Sequence, residues 1–135
     1  IWLDANRDAH DFISAEYWES NYLPVKERLL QAEVYVYIDE YKNEIEGFVG
    51  LDQEYIAGIF VRKGARSKGI GKALLVFVKG KKQELTLNVY QKNERAVGFY
   101  EREGLDAIER TTDESTGEKE YLMKWDRKEC EEYAD

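Results

Sequence analysis

The sequence predicts an α/β domain with a mixed sheet, on three observations. Two β-rich runs joined by a polar stretch read as an antiparallel hairpin, two strand-helix units follow, and a last pair of β-rich runs closes the chain. A length of 135 residues suits one domain with one core, spanning 1–135, with a charged tail over 126–135. Hydrophobic residues make up 43% and aromatics 13% with a single proline, which excludes a disordered or collagen-like chain.

The elements follow in order. Ile1 to Asp11 carries Ile1, Ala5 and Ala9 at helical spacing. A second helix is expected from about Pro24 to Ala32, where Val25, Leu29 and Leu30 share a face and Pro24 fits the first turn. Tyr17, Trp18 and Tyr22 form an aromatic cluster between the two. Val34 to Ile38 and Ile45 to Leu51 are strands separated by a turn containing Lys42 and Asn43. Tyr55 to Val61 is a third strand, and Lys63 to Gly71 a loop rich in glycine and positive charge. The helix expected over Lys72 to Lys82 has Leu74, Leu75 and Val78 as its apolar stripe. Leu85 to Tyr90 is a strand, and Asn93 to Arg102 a helix with Ala96, Val97 and Tyr100 on one face. Leu105 to Thr111 and Glu120 to Trp125 form the closing hairpin. The longest apolar run, Ala73 to Val78, is far too short to span a bilayer, so no membrane association is expected.

Charge and rare residues narrow the chemistry. One cysteine, Cys130, can form no internal disulfide and no thiolate metal site, which suits a reducing cytoplasm. One histidine, His10, leaves a multi-histidine metal centre or a catalytic triad poorly supplied, and no metal is expected. His10 itself reads as a surface or inter-helix residue rather than a base. Twenty basic against 28 acidic residues give a net charge of -8, which disfavours nucleic acid as a partner. Yet Arg62, Lys63, Arg66, Lys68, Lys72, Lys79, Lys81 and Lys82 occupy one segment that contains no acidic residue.

Within it, Arg66-Ser67-Lys68-Gly69-Ile70-Gly71 falls at a strand-to-helix junction. The first amides of a helix have no partner inside it and point at whatever binds there. Glycines at 69 and 71 remove Cβ atoms that would block a phosphate, and Arg66, Lys68 and Lys72 add positive potential. A pyrophosphate fits. No Lys-Ser or Lys-Thr follows Gly69, so the segment is not a Walker A loop, and Gly69 to Leu74 lacks the third small residue of a dinucleotide-binding turn.

What the segment does match is R-x-x-G-x-G after a hydrophobic strand end, and here the chain resembles the GNAT superfamily of N-acetyltransferases. Leu85-Thr86-Leu87-Asn88-Val89, then Asn93, Ala96, Phe99-Tyr100 and Gly104-Leu105, resembles that family's second signature, with Leu105 where phenylalanine is usual. The resemblance covers roughly Val34 to Trp125, while Ile1 to Ala32 fits the family's variable first helices. It implies a largely antiparallel sheet splayed between two central parallel strands and flanked by helices. It also implies a first strand missing from this chain, within about 15 to 20 further residues before Ile1 that form an edge strand and the first turn of the opening helix.

The same resemblance implies direct transfer of acetyl from acetyl-CoA to a primary amine. The backbone of Ile59, Phe60 and Val61 would pair with the pantetheine arm. Arg66, Ser67, Lys68, Gly69, Ile70, Gly71 and Lys72 would hold the pyrophosphate, with Asn93 and Phe99 beside the cofactor and Tyr100 as the acid for the departing thiolate. With an ordinary pKa of about 10, Tyr100 would be nearly matched to that thiolate. Asn93 also reads as an N-cap. The base stays open among Glu16, Glu54, Tyr55, His10 and Tyr121. An acidic surface and the aromatics Tyr17, Trp18, Tyr22, Tyr35, Tyr37 and Tyr55 suit a cationic acceptor, whether a small amine or a protein or peptide amine. A homodimer is compatible with this reading. The alternative is a catalytically inactive CoA-binding sensor or partner-binding module.

Overall fold

The computed structural model describes residues 1–10, 12–66 and 68–128. By its packing the chain divides at Phe77/Val78 into two compact units. The first unit opens with α1 (Trp2–Ala9) and α2 (Ala15–Gln31), followed by strands β1 (Glu33–Asp39), β2 (Glu44–Asp52) and β3 (Tyr55–Val61). A single 3₁₀ turn, Lys63–Ala65, leads toward α3 (Ile70–Lys79), which crosses the boundary. The second unit adds β4 (Glu84–Tyr90), α4 (Glu94–Arg102), β5 (Asp106–Thr112) and β6 (Lys119–Asp126). Among the described residues no helix is long and apolar enough to cross a membrane.

In the first unit β2 pairs antiparallel with both β1 and β3. Asp39 turns the first hairpin, its Oδ1 accepting from the amides of Tyr41 (2.9 Å) and Lys42 (3.3 Å), while Asn43 takes a left-handed φ of 54°. Each pairing contains one bulge. Tyr37 faces Gly47 but Ile38 faces Ile45, leaving Glu46 as the extra residue against β1. Gly50 faces Gly58 but Leu51 faces Ile56, leaving Ala57 extra against β2. Val49, Leu51, Ile56, Leu74 and Leu75 are buried.

α1 packs against α2 and β3, and meets α2 through aromatic rings. Trp18 is buried, meets Trp2 edge-on at 5.9 Å, and lies 4.9 Å from Tyr17. His10 sits 5.4 Å from Trp18 and 5.7 Å from Phe12, with Nδ1 3.0 Å from Asn6 Oδ1. It is an inter-helix residue.

The second helix differs from the expectation. It begins at Ala15, not near Pro24, which lies inside it. Ser14 provides the start: its Oγ accepts from the Tyr17 amide at 3.3 Å, and Glu16 follows in the first turn. An interior proline cannot donate to the carbonyl four residues back, yet Ser20 and Asn21 side chains bond the Glu16 and Tyr17 carbonyls in the same region. The side chains of Val25, Leu29 and Leu30, expected to share a face, lie outside the described residues, as do Asp11 and 129–135.

In the second unit β6 pairs antiparallel with both β4 and β5. Leu85, Leu87, Val89, Leu105, Met123 and Trp125 are buried, with Val78 of α3. Arg127 caps the end of α3 by donating to the carbonyls of Lys79 and Lys82, while Lys79 donates to the Glu103 carbonyl. Both cations flank the Trp125 ring, at 5.5 Å for Lys79 Nζ and 5.8 Å for Arg127.

Burial of His10 makes stability depend on pH. Desolvation lowers its pKa from 6.5 to about 4, so the folded ring stays neutral where the unfolded one takes up a proton. Its contribution is complete above pH 6.5 and is lost as pH falls toward 4, by about 3 kcal/mol. Urea unfolding across this window should show that loss in the wild type and a flatter profile in His10→Gln; parallel profiles would contradict it.

Candidate active site

The site begins where β3 ends. Arg66 Nε donates to the Val61 carbonyl at 3.1 Å, which ties the loop back to the strand it has just left. Gly69 has a φ of 80°, and a Cβ built there would meet nothing within 4 Å. Its glycine is therefore required by the left-handed turn, and the space above it is open. The ladder of α3 starts with the Ala73 amide donating to the Gly69 carbonyl at 3.0 Å, so the amides of Ile70, Gly71 and Lys72 come before its first bond. Lys68 and Lys72 are exposed beside them. This donor set suits the two phosphates of a pyrophosphate. Ser67 lies outside the described residues. The helix starts two residues earlier than expected and ends at Lys79 rather than Lys82.

Ile59, Phe60 and Val61 face Val49, Phe48 and Gly47 of β2. The rings of Phe48 and Phe60 are 5.0 Å apart, and the Phe60 ring covers Gly58, where an added Cβ would come within 2.2 Å of it.

In the second unit, Asn93 caps α4, its Oδ1 accepting from the Ala96 amide at 3.2 Å. The other end closes on Gly104, at φ 93°, with the Leu105 amide donating to the Tyr100 carbonyl at 2.9 Å. Phe99 and Tyr100 are half-buried, their rings 5.2 Å apart. Burial pushes the Tyr100 hydroxyl up to about 12. This corrects the matched pKa of about 10 expected from sequence. The hydroxyl stays protonated throughout the physiological range, and giving up its proton costs about 3 kcal/mol more than from an ordinary tyrosine.

The candidate bases scatter. His10 is neutral and packed between rings. Glu16 is exposed on α2, and Glu54 on the turn before β3. Tyr55 opens β3, which places it about 16 Å of strand from Phe60. Tyr121 lies on β6 beside Glu101 and Arg110. The aromatics proposed to receive an amine also divide. Tyr17, Trp18 and Tyr22 join Trp2 between the first two helices, whereas Tyr35 meets Phe77 at 5.0 Å. With Tyr37, Ala73 and Leu74 they line a separate groove of about 430 Å³. The one acidic residue buried among those described, Glu46 at 7% exposure, is absent from the sequence-derived candidates.

The glycine turn before α3, and α4 capped by Asn93 and closed on Gly104, carry the two GNAT-like signatures of the sequence. The family model for the acetyltransferase (GNAT) domain matches residues 7–126. The chain belongs to the GNAT family and is an acetyltransferase. It is 31% identical over 126 residues to the peptidyl-lysine N-acetyltransferase YiaC of Escherichia coli, covering 93% of this chain and 86% of that protein. The solution structure of apo YjaB from Escherichia coli superposes with a TM-score of 0.78 at 28% identity, over 93% of this chain and 86% of that one. A protein described as a streptothricin acetyltransferase from Bacillus anthracis, solved with acetyl coenzyme A, shares the fold at a TM-score of 0.62 and 23% identity, over 70% of this chain and 62% of that one.

If phosphates sit on the start of α3, carboxylates placed there repel them. In Gly69→Asp/Gly71→Asp the affinity for CoA measured by calorimetry should fall at least about tenfold. Unchanged affinity would place the phosphates elsewhere.

Proposed function

We propose that this chain transfers the acetyl group of acetyl-CoA to the side-chain amine of lysine in a protein or peptide. The observation that carries this reading is its likeness, over nearly its whole length, to a peptidyl-lysine N-acetyltransferase. The net charge of -8 supports it, because an acidic surface attracts a lysine-bearing segment. A CoA-binding module without catalysis finds no support among the relatives. The single cysteine favours a cytoplasmic setting.

In this reading the chain mainly positions groups and supplies protons. The amides at the start of α3, with Lys68 and Lys72, bind the pyrophosphate, and the backbone of Ile59 to Val61 aligns the pantetheine arm as an added strand. Asn93 and Phe99 stand beside the cofactor. Holding the thioester in one pose turns a bimolecular reaction into an effectively unimolecular one. An amide near Phe60 or Val61 stabilises the oxyanion. Tyr100 gives its proton to the departing sulfur, and its raised pKa keeps that proton in place until the thiolate forms.

Tyr100→Phe keeps the ring and removes the donor. With an Nα-blocked lysine peptide as acceptor, release of free thiol should show kcat reduced roughly 10²- to 10⁴-fold, with CoA affinity unchanged. Full activity in the variant would remove Tyr100 from the mechanism.

A further inference from the structure

Strand β1 carries an apolar strip at its surface. Val34, Val36 and Ile38, at 36%, 46% and 49% exposure, alternate along it, and Ile45 of β2, which faces Ile38 across the pair, extends the strip at 45%. Exposed apolar side chains scattered singly are ordinary, whereas four in one row on one face mark a place for a partner. The surrounding charge selects its kind. From Glu33 to Glu46 the hairpin holds five acidic residues and one basic, Lys42, which amounts to half of the net charge of -8. Arg62 pairs with Glu44 at 2.9 Å, and the hairpin stays net negative.

The strands set which way the strip faces. A Cβ on Gly47 would lie 3.2 Å from Ile70 and 3.5 Å from Leu74, so Gly47 turns toward α3. Tyr37 faces Gly47 across the pair and Tyr35 meets Phe77 of α3, so these two tyrosines share the α3 side. Val34, Val36 and Ile38 alternate with them and stand on the opposite side. There Val36 faces Phe48 and Phe48 faces Phe60, the two rings 5.0 Å apart. One apolar row thus crosses three strands, from the strip to the residue proposed above to stand beside the oxyanion. Its length is two strand spacings, about 10 Å, or about three residues of an extended chain.

We propose that this strip docks the acceptor's own chain, an assignment that rests on the lysine reading above and extends it to the residues around the lysine. The segment it fits is extended and basic, with an apolar side chain about three residues from the lysine. That side chain covers Val36 and Ile38, the cations beside it face the acidic hairpin, and the lysine reaches Phe60 along the row. Approach from the other side meets α3, which packs against Gly47.

The test compares two Nα-blocked peptides, each with one lysine among arginines, one carrying leucine and the other serine three residues to either side of the lysine. In the wild type KM for the leucine peptide should be about tenfold lower, with kcat equal. That preference should shrink in Ile38→Ser and disappear in Val36→Lys/Ile38→Lys, with CoA affinity by calorimetry and the melting temperature unchanged. Equal KM values in the wild type, or a preference that survives in both variants, overturn the assignment while leaving the lysine reading intact. A wild type that sediments as a dimer and becomes monomeric in Val36→Lys/Ile38→Lys gives the strip to a second copy and overturns it too. A wild type inactive on both peptides overturns the two readings together.

Discussion

The bond from Arg66 to the Val61 carbonyl decides how the chain leaves β3, and the start of α3 depends on it. With the loop held back on its strand, the backbone has three residues in which to turn into a helix, and Gly69 makes that turn in a conformation that other residues adopt only with strain. The positive run of the sequence is consequently not one surface. Arg66 organises the loop, Arg62 pairs with Glu44, and Lys79 is taken up by the Glu103 carbonyl and the face of Trp125. Lys68 and Lys72 are the cations exposed at the helix start. A segment without acidic residues thus separates into cations bound up in the fold and cations exposed beside the start of α3.

The second signature has an equally local cause. Asn93 and Gly104 are the two ends of α4, a side-chain cap and a left-handed closure, and the spacing between them is the length of that helix. Tyr100 is fixed by both, because its carbonyl accepts the amide that closes the helix on Leu105. Backbone bonds thereby set the place of the hydroxyl, and burial sets its acidity. Replacing the ring with phenylalanine leaves the closure untouched, so chemistry and folding can be separated at this residue.

Much of this was legible in the sequence because each feature has a short-range cause. The β-rich runs, the apolar stripe of Leu74, Leu75 and Val78, the cap at Asn93 and the glycine turn depend on nearest neighbours. The start of α2 was misread because Pro24 is a stronger punctuation mark than Ser14, although Ser14 followed by Glu16 is a helix-start signal in its own right. Glu46 was illegible for a different reason. In Glu44-Ile45-Glu46-Gly47-Phe48, strand alternation assigns both acids to one face, yet Glu44 is exposed while Glu46, the residue left over at the bulge against β1, is buried. The aromatics pooled as an acceptor site divide because Tyr35 and Tyr37 belong to a strand that presents them toward α3, whereas Tyr17, Trp18 and Tyr22 serve the packing of the first two helices.

The central claim is acetyl transfer to a lysine side chain, and the most direct measurement is the intact mass of an Nα-blocked peptide containing one lysine after incubation with the protein and isotope-labelled acetyl-CoA. The account predicts a gain of one labelled acetyl group, located on the lysine by fragmentation and missing from a control peptide with arginine in its place. A peptide of unchanged mass beside a protein that demonstrably binds CoA would contradict it.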